Sequence, residues 1–307
     1  MDLLICSMCG SQHDTRFAKS CKICDDPRQY IPQEGQSWTT LRQLQQSKKY
    51  HNEFRMDKNH SGLISILTVP QVGIGQRAFL CCTPAGNVLW DCITYIDDDT
   101  VRQIKELGGI KAIVISHPHY YSTSVHWAEE FRCPVYISAD DEEFLMRHAP
   151  TTRSITATQS AKGHDSFPGH LLWEGKELNL LDGTFTAIKV GGHFPGSSVL
   201  LWKEAKKLLI ADSILVVPSG VYHVDRLPGT TSFTFMWSYP NFIPLPPDDV
   251  YAIWKSLAHL DFEDTHSAFW GRDTIGQSKK RLLESAQIYI KAAGYVDHAI
   301  HRENFKE

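Results

Sequence analysis

The stretch KAIVISHPHYYS, residues 111–122, joins an apolar run to two closely spaced histidines. Its first half is a short β-branched apolar run of the length expected for a strand buried between helices. Residues two apart point to the same side of extended backbone, so we expect His117 and His119 to present both imidazoles at the strand end. Pro118 between them has no amide hydrogen and suits a strand end. The stretch predicts a pair of metal ligands, although two polar residues capping a strand at the surface would give the same pattern.

The composition indicates a globular protein whose function depends on a site. The chain has 307 residues, 42% hydrophobic and 21% charged, with a formal net charge of -4. This charge argues against nucleic acid or an anionic membrane as the main partner, because both favour concentrated Lys and Arg. The N-terminus lacks the basic residues and long apolar run of a secretory signal, and no later stretch approaches a membrane span. We expect a cytoplasmic protein with a small-molecule substrate; whether it forms a homo-oligomer stays open.

Four of the eight cysteines form two C-x-x-C pairs near the N-terminus, Cys6 with Cys9 and Cys21 with Cys24. Four thiolates in this arrangement can close a tetrahedron around Zn²⁺, and the ion then supplies the folding energy that a short segment lacks. We predict a structural zinc in a module of residues 1–34, followed by a linker of residues 35–60. The spacing, with Gly10 after the second cysteine, also resembles rubredoxin, and thiolate tetrahedra accept iron as well as zinc.

From residue 61 onward the chain alternates strand-like and helical segments, which indicates a mixed α/β domain of residues 61–307. Short apolar runs separated by Gly- and Pro-containing turns predict strands, and segments with helical spacing and an acidic start or a glycine stop predict helices. Two strand-rich halves that each finish in helices suggest a layered α-β-β-α body. Strands are predicted at 65–69, 77–82, 87–92, 111–116, 134–137, 177–180, 185–190, 198–202 and 207–211, and helices at 98–107, 125–131, 248–257 and 277–293.

Two polar residues of the second half complete a candidate constellation. His193 lies in VGGHFPGSS directly after a predicted strand, among glycines and a proline that fix a tight turn. Asp212 ends the apolar run LLIAD, and open α/β sheets place ligand groups at such strand ends. A buried histidine held by turn hydrogen bonds and a turn or helix cap are the structural alternatives. Together with His117 and His119, these residues could converge on one site.

In order and context these motifs resemble those of the metallo-β-lactamase superfamily. The resemblance covers roughly residue 61 to the C-terminal helix and includes Asp91 after a strand, the H-x-H motif, GGHFPGSS and LLIADS. It implies an αββα sandwich with a metal site at the edge of the two sheets, and usually a hydrolase that acts on an ester, lactone, lactam or thioester. With its cysteine knuckle, the chain resembles a subgroup of that superfamily.

The sequence departs from the family pattern H-x-H-x-D-H at two positions, where Tyr121 replaces the aspartate and Ser122 replaces the last histidine. A further family histidine is expected near residues 267–272, where Trp270 takes the matching place and His266 is offset from it. The second metal site of the family has therefore lost its ligands. We expect one catalytic metal instead of two.

The resemblance and the remaining histidines together predict a mono-zinc hydrolase that uses a metal-bound hydroxide. Three neutral histidines leave an open position on zinc, where the pKa of a water falls toward about 7. Asp212 is expected to be a fourth ligand or to orient that water as a general base. Tyr120 and Tyr121, neutral phenols, are candidate donors to the developing oxyanion. One metal favours lactones, activated esters and lactams over phosphodiesters.

Other classes of function stay open. The lost second-site ligands also fit a catalytically reduced scaffold that docks a partner through the knuckle, although a drifting site should not keep three histidines and Asp212 together. Electron transfer through an iron-loaded knuckle would need carboxylate ligands and a flavin module, and neither is visible.

Two segments could lie around the site. Residues 148–170, polar and turn-rich, are a candidate lid. Residues 233–247, aromatic and proline-rich, form either a core-covering loop or a substrate-contacting wall.

Overall fold

Two β-sheets lie face to face, each with helices on its outer side, in the computed structural model of the chain. The structure describes residues 2–156, 169–222, 227 and 229–305. This layering confirms the predicted αββα sandwich with a cysteine knuckle at its N-terminus. No helix in these ranges is long and apolar enough to span a lipid bilayer.

The N-terminal module contains little regular structure. Strand β1 (Leu4–Cys6) pairs antiparallel with β2 (Trp38–Thr40), and helix α1 (Leu41–Gln46) follows directly. The Thr40 hydroxyl caps this helix by accepting the Gln43 amide. Both β2 and α1 lie within residues 35–60, which were predicted as a linker.

The first half of the main domain forms an eight-stranded mixed sheet. Its strands, in spatial order, are β3 (His51–Met56), β4 (Leu63–Val69), β5 (Ala78–Cys81), β6 (Val88–Trp90), β7 (Ala112–Val114), β8 (Pro134–Ser138), β10 (Gly169–Glu174) and β9 (Thr152–Thr156). The outer face of this sheet carries helices α2 (Asp98–Glu106) and α3 (Ser124–Phe131). The central strands β6, β7 and β8 are buried along their whole length, which explains their continuous apolar composition.

In the described residues from 177 onward, the chain forms a six-stranded sheet, two short two-stranded sheets and three helices. The sheet has the order β11 (Glu177–Leu180), β12 (Phe185–Lys189), β13 (Ser198–Trp202), β14 (Lys207–Leu209), β19 (Asp264–His266) and β20 (Asp273–Thr274). The small sheets pair β15 (Leu215–Val216) antiparallel with β16 (Phe233–Thr234) and β17 (Met236–Ser238) antiparallel with β18 (Ile243–Pro244). The helices are α4 (Pro218–Val221), α5 (Pro247–Leu257) and α6 (Ser278–Ala292).

The core has three layers, as two sheets with helices on both outer faces require. One cluster between the sheets includes Trp90, Trp173 and Phe185. A second lies under α5 and α6. The third lies between the first sheet, its helices and the N-terminal module, and all four knuckle cysteines belong to it. The knuckle therefore packs on the main domain as part of its core.

Several predictions about individual segments need correction. Strand β3 lies within residues 35–60, which were predicted as a linker, and pairs with β4 over its whole length. Within the candidate lid of residues 148–170, β9 and the start of β10 form parallel strands at the edge of the sheet. Residues 157–168 of that segment lie outside the described residues. The aromatic segment of residues 233–247 contains three short strands and not one continuous loop.

Candidate metal centre

A short 3₁₀ turn, and not extended backbone, positions His119 beside His117. Strand β7 ends at Val114, and His117 is still extended, with φ -168° and ψ 171°. Pro118–Tyr120 then form a 3₁₀ turn, which Pro118 begins with its fixed φ. The expectation of extended backbone through His119 is therefore wrong. The turn nevertheless brings the rings of His117 and His119 to a centroid distance of 5.1 Å.

His193 and Asp212 come from the loops after β12 and β14. Gly191 and Gly192 precede His193 with φ of 68° and 83°, a region that favours glycine. A Cβ on Gly192 would come within 2.9 Å of the Leu245 side chain, so the turn also needs a small residue. The hydroxyl of Ser213 accepts the His193 amide at 3.3 Å and donates to the Gly191 carbonyl. Ser213, which follows Asp212, thus stabilises the histidine turn from the neighbouring loop.

The four side chains converge on one point. Asp212 Oδ2 lies 3.3 Å from His117 Nε2, 3.7 Å from His119 Nδ1 and 3.8 Å from His193 Nε2. The last two nitrogens are themselves 3.1 Å apart. Donor atoms bound tetrahedrally to one zinc at about 2.0–2.1 Å lie roughly 3.3 Å from one another. The spacing of these donors fits one metal ion.

Burial and hydrogen bonding also fit a metal ion. The three histidines are at most 2% exposed and Asp212 is 7% exposed. Within the described part of the chain, His117 Nε2 has no hydrogen-bond partner, although a buried nitrogen normally has one. Burial holds the pKa of His119 and His193 below the ordinary value, which keeps both rings neutral. Burial would raise the pKa of Asp212, but the neighbouring histidines hold it well below the usual range, so the carboxyl is ionised.

A set of surrounding groups orients these ligands. The Ser116 hydroxyl lies 2.8 Å from His117 Nδ1, and Asp91 Oδ1 accepts the Ser116 amide at 2.8 Å. Burial raises the pKa of Asp91 to about 7. The Tyr120 hydroxyl donates to Asp212 Oδ1 at 2.7 Å. Such contacts are what fixes the orientation of metal ligands in proteins.

The two tyrosines that were predicted as substrate donors have different positions. Tyr120 lies in the site, is fully buried and contacts Asp212, while burial raises its pKa well above the usual range. The Tyr121 hydroxyl donates to the backbone carbonyl of Asp141 at 3.0 Å. Tyr120 is therefore a neutral donor inside the cluster, and a role for Tyr121 in binding substrate would require this hydrogen bond to break.

The residues at the family's second metal site are engaged elsewhere. The Ser122 hydroxyl donates to the Cys92 carbonyl at 3.1 Å, and the Ser122 carbonyl accepts the Gln12 amide of the N-terminal module at 2.9 Å. His266 does not substitute for a ligand, because its ring nitrogens lie 3.3 Å from Asp273 Oδ1 and 3.3 Å from Lys207 Nζ. Trp270 is 48% exposed. Within the described residues, the group of possible metal ligands at this edge of the sheets consists of the three histidines and Asp212.

The four cysteines form a second candidate metal site. Cys6 Sγ lies 3.6 Å from Cys24 Sγ, and Cys9 Sγ lies 3.7 Å from Cys21 Sγ. Sulfurs bound tetrahedrally to zinc at about 2.3 Å lie roughly 3.8 Å apart. The Gln36 side-chain amide donates to Cys6 Sγ at 3.2 Å, as expected beside a thiolate. The predicted knuckle is thus closed and buried, and its donor set suits a metal ion.

Some residues around the histidine cluster were not anticipated from the sequence. Phe194 packs against all three histidine rings, with centroid distances of 5.0–5.8 Å. The Tyr239 hydroxyl donates to the Asp212 backbone carbonyl at 2.9 Å. Arg28, from the N-terminal module, donates to the His193 carbonyl. The position of Phe194 beside His193 was a usable signal. Tyr239 lies in the aromatic segment of residues 233–247 and Arg28 follows the second C-x-x-C pair, but no motif marks either residue individually.

Comparisons with known proteins identify what the chain is similar to. The profile of the Metallo-beta-lactamase superfamily matches residues 74–262. A relative, the "Uncharacterized protein YmaE" of Bacillus subtilis (strain 168), is 39% identical over 297 residues, which span 95% of this chain and 97% of the relative. The crystal structure of VMB-1 is 12% identical with a TM-score of 0.50 and covers 79% of this chain and 99% of its own. That of DIM-1 metallo-beta-lactamase is 14% identical with a TM-score of 0.49 and covers 79% and 100%.

Proposed function

Since the chain belongs to the metallo-beta-lactamase superfamily, we propose that it is a mono-zinc hydrolase that acts on a small-molecule lactone, ester or lactam. His117, His119 and His193 would hold the catalytic ion, and the four cysteines would hold a structural one. The observation that carries the proposal is the convergence of three imidazole nitrogens and one carboxylate oxygen at 3.1–3.8 Å. Three histidines with one further position are typical of catalytic zinc, whereas four cysteines are typical of structural zinc.

The ion would supply a nucleophile from water at neutral pH and polarise the substrate carbonyl. The chain contributes the groups that hold and move the proton. Asp212 is ionised and uses Oδ1 to accept the Tyr120 hydroxyl, so Oδ2 is the oxygen that faces the histidines. This oxygen can ligate the ion or accept a proton from the attacking water. Tyr120 keeps the carboxylate in the orientation that this function requires.

The contacts of Tyr121 and Ser122 support one catalytic ion. Their hydroxyls donate to the main-chain carbonyls of Asp141 and Cys92, and the Ser122 carbonyl binds the N-terminal module. Without a second ion to stabilise the leaving group, substrates that carry good leaving groups are favoured, since two-metal sites clamp both the attacking and the leaving oxygens. This reasoning favours lactones and activated esters or lactams over phosphodiesters.

A substrate panel tests the proposed activity. The zinc-loaded protein and a His117→Ala/His119→Ala variant are assayed with lactones, activated esters, β-lactams and phosphodiesters. We expect turnover of at least one carbonyl substrate, loss of that turnover in the variant, and slower reaction with phosphodiesters. Equal activity in the variant would contradict the assignment of the site, and faster phosphodiester cleavage would contradict the substrate class.

One observation favours the scaffold alternative. The cluster is buried, with Asp212, its most exposed member, only 7% exposed. A metal ion in such a place can serve structure alone. Absence of turnover on the whole panel, together with a lower melting temperature for the double variant, would favour this alternative.

A further inference from the structure

The second C-x-x-C pair of the knuckle, Cys21 and Cys24, continues directly into a segment that lies against the histidine cluster. The Cys24 and Asp25 amides both donate to the Cys21 carbonyl, at 3.0 and 2.8 Å, and the Gln29 amide donates to the Asp26 carbonyl at 2.9 Å. The chain therefore turns twice between Cys21 and Gln29. These turns place Arg28, four residues after Cys24, beside the loop that carries His193.

Arg28 binds the backbone of a candidate metal ligand. Its Nε donates to the His193 carbonyl at 2.8 Å, across 165 residues of sequence. Because Ser213 Oγ accepts the His193 amide, the backbone of His193 is held on both sides. Both bonds help to fix where the His193 ring enters the cluster.

The guanidinium of Arg28 is itself held in place. Its Nη1 donates to both carboxylate oxygens of Asp26, at 2.9 and 3.0 Å, and the two side chains are only 16% and 13% exposed. Its Cζ lies 4.3 Å from the ring centroid of Phe194 and 5.0 Å from that of Trp237. Since Asp26 neutralises the positive charge, Arg28 can approach a site for a cation without strong repulsion.

The main domain also binds the backbone around Arg28. The Ser238 hydroxyl donates to the Arg28 carbonyl at 3.0 Å, and the Asn241 side-chain amide donates to the Pro27 and Gln29 carbonyls at 3.0 and 3.3 Å. The segment of residues 26–29 is thus fixed by the knuckle at one end and by the β17–β18 hairpin at its centre. Because the backbone on both sides of Arg28 is held, its side chain starts from a fixed position.

We propose that Arg28 is a positioning residue of the histidine cluster, which sets its metal affinity by fixing the His193 backbone from the N-terminal module. This inference rests on the proposed function, because it requires a metal ion at the cluster. Groups that orient metal ligands typically change metal affinity about 10–100-fold when they are removed. The N-terminal module is thereby a working part of the metal centre.

Substitutions at Arg28 separate the hydrogen bond from the charge. In Arg28→Gln, the side-chain amide nitrogen lies the same number of bonds from the backbone as the arginine Nε, so it can still donate to the His193 carbonyl. Arg28→Met has the same reach without a donor. Lys22→Met is the matched control, because Lys22 is another cation of the module that bonds the main domain, through Glu143, without contacting His193.

The measurement is the affinity of the full-length chain for Zn²⁺ by competition with a chromophoric chelator. The four-cysteine ion is counted in the same samples. We expect Arg28→Met to bind the histidine-site ion about tenfold more weakly, Arg28→Gln to recover most of the loss, and Lys22→Met to match the wild type. If Arg28→Met does not fold, Arg28→Lys, whose donor lies one bond farther out, should bind more weakly than Arg28→Gln.

Two kinds of result would overturn the inference. Arg28→Met within twofold of the wild type, or equal losses in the Met and Gln variants, would show that the bond to His193 does not set metal affinity. Tighter binding of Zn²⁺ at the histidine site by Arg28→Lys than by Arg28→Gln would lead to the same conclusion. No histidine-site ion in the wild type would overturn the proposed function as well, so the two failures are distinguishable.

Discussion

Asp212 divides its two carboxylate oxygens between two partners. Oδ1 accepts the Tyr120 hydroxyl, and Oδ2 faces the three imidazoles. Tyr120 is buried and neutral, because burial and the Asp212 charge raise its pKa well above the usual range. The phenol therefore acts as a fixed donor that keeps Oδ2 directed at the cluster.

Replacing Tyr120 by phenylalanine should weaken the site without unfolding the chain. The ring still fills its place, but Asp212 Oδ1 loses its donor, so we expect metal affinity or kcat to fall about tenfold. Tyr251→Phe is the control, since it removes a tyrosine hydroxyl that donates to Glu303 on the helical side of the molecule. Metal titration and substrate turnover check this prediction, and a wild-type value for both in Tyr120→Phe would contradict it.

At this scale the sequence predicts residue types better than it predicts contacts. Two histidines after a buried strand and His193 in a glycine-rich turn were visible as candidates, and the structure brings them together with Asp212. The 3₁₀ turn at Pro118–Tyr120 was not foreseen, because a three-residue turn leaves little periodicity to detect. The contact of Arg28 with His193 joins residues 165 positions apart, and nothing local in the sequence reports it.

Among the structural elements, the knuckle needs a close approach of its backbone to a side chain of the main domain. Gly10 follows the first C-x-x-C pair with φ 81°, and its carbonyl accepts the Thr94 hydroxyl at 3.0 Å. A Cβ at this position would collide with the Thr94 side chain. The glycine therefore serves both the turn and the docking of the module on the main domain.

Gly10→Ala should destabilise the protein more than the same change at Gly35. Both glycines have positive φ, which costs an alanine about 1–2 kcal/mol, but the space around Gly35 is open. The additional collision at Gly10 should cost roughly 1–3 kcal/mol more. Urea unfolding of both variants gives the comparison, and equal losses of unfolding free energy would show that the contact with Thr94 adjusts freely.

We expect the buried His170 of β10 to lower the stability of the protein in acid. His170 of β10 is completely buried, and burial, with the nearby charges of His148 and Arg147, lowers its pKa to about 4. Its pKa in an unfolded chain is about 6.5. Between these values the unfolded chain takes up a proton that the folded chain does not, so the free energy of unfolding falls as the pH drops from 6.5 to 4, by about 3 kcal/mol.

In His170→Gln this contribution should disappear. The difference in unfolding free energy between pH 7 and pH 4 should then be smaller than in the wild type by about 3 kcal/mol. Denaturant titrations at both pH values measure it. The same pH dependence in the two proteins would mean that His170 is protonated in the folded state.

Whether an element was predictable depended on its length and on what it buries. The central strands and the long helices α5 and α6 follow from their composition and spacing. Strand β3 was missed because it lies at the sheet edge and has one buried residue among six, so it lacks an apolar pattern. The short strands β15 to β18 have two or three residues each, too few for any period.

Across the whole molecule, a buried ionic network joins the two sheets at one end. Lys207 of β14, 2% exposed, lies 2.7 Å from Asp264 Oδ2 and 3.8 Å from Asp57 Oδ1, which follows β3. Arg77, also 2% exposed, pairs with Asp273 of β20. Each cation thus meets carboxylates from the opposite sheet or a neighbouring strand. The layers are held by charge at this end in addition to the apolar core.

Lys207→Met should strongly destabilise the protein, whereas Lys206→Met, the same change at the neighbouring residue, should not. Removing the ammonium deprives Asp264 and Asp57, whose side chains are only 15% and 16% exposed, of their cation, and breaking a buried ion pair typically costs about 3–5 kcal/mol. Lys206 pairs with Asp261 at the surface, and both groups are exposed, so Lys206→Met should change stability little. Thermal and urea unfolding check the contrast, and a small effect at Lys207 would indicate that the network is hydrated.

Metal content per chain is the most direct test of whether the chain holds two metal ions in two different sites, as we propose. Elemental analysis is carried out on the intact protein and on His117→Ala/His119→Ala. We expect two ions per chain in the intact protein and one in the variant, with the remaining ion lost only when the cysteines are replaced. One ion in both proteins would contradict this proposal, because the histidine cluster would then hold no metal.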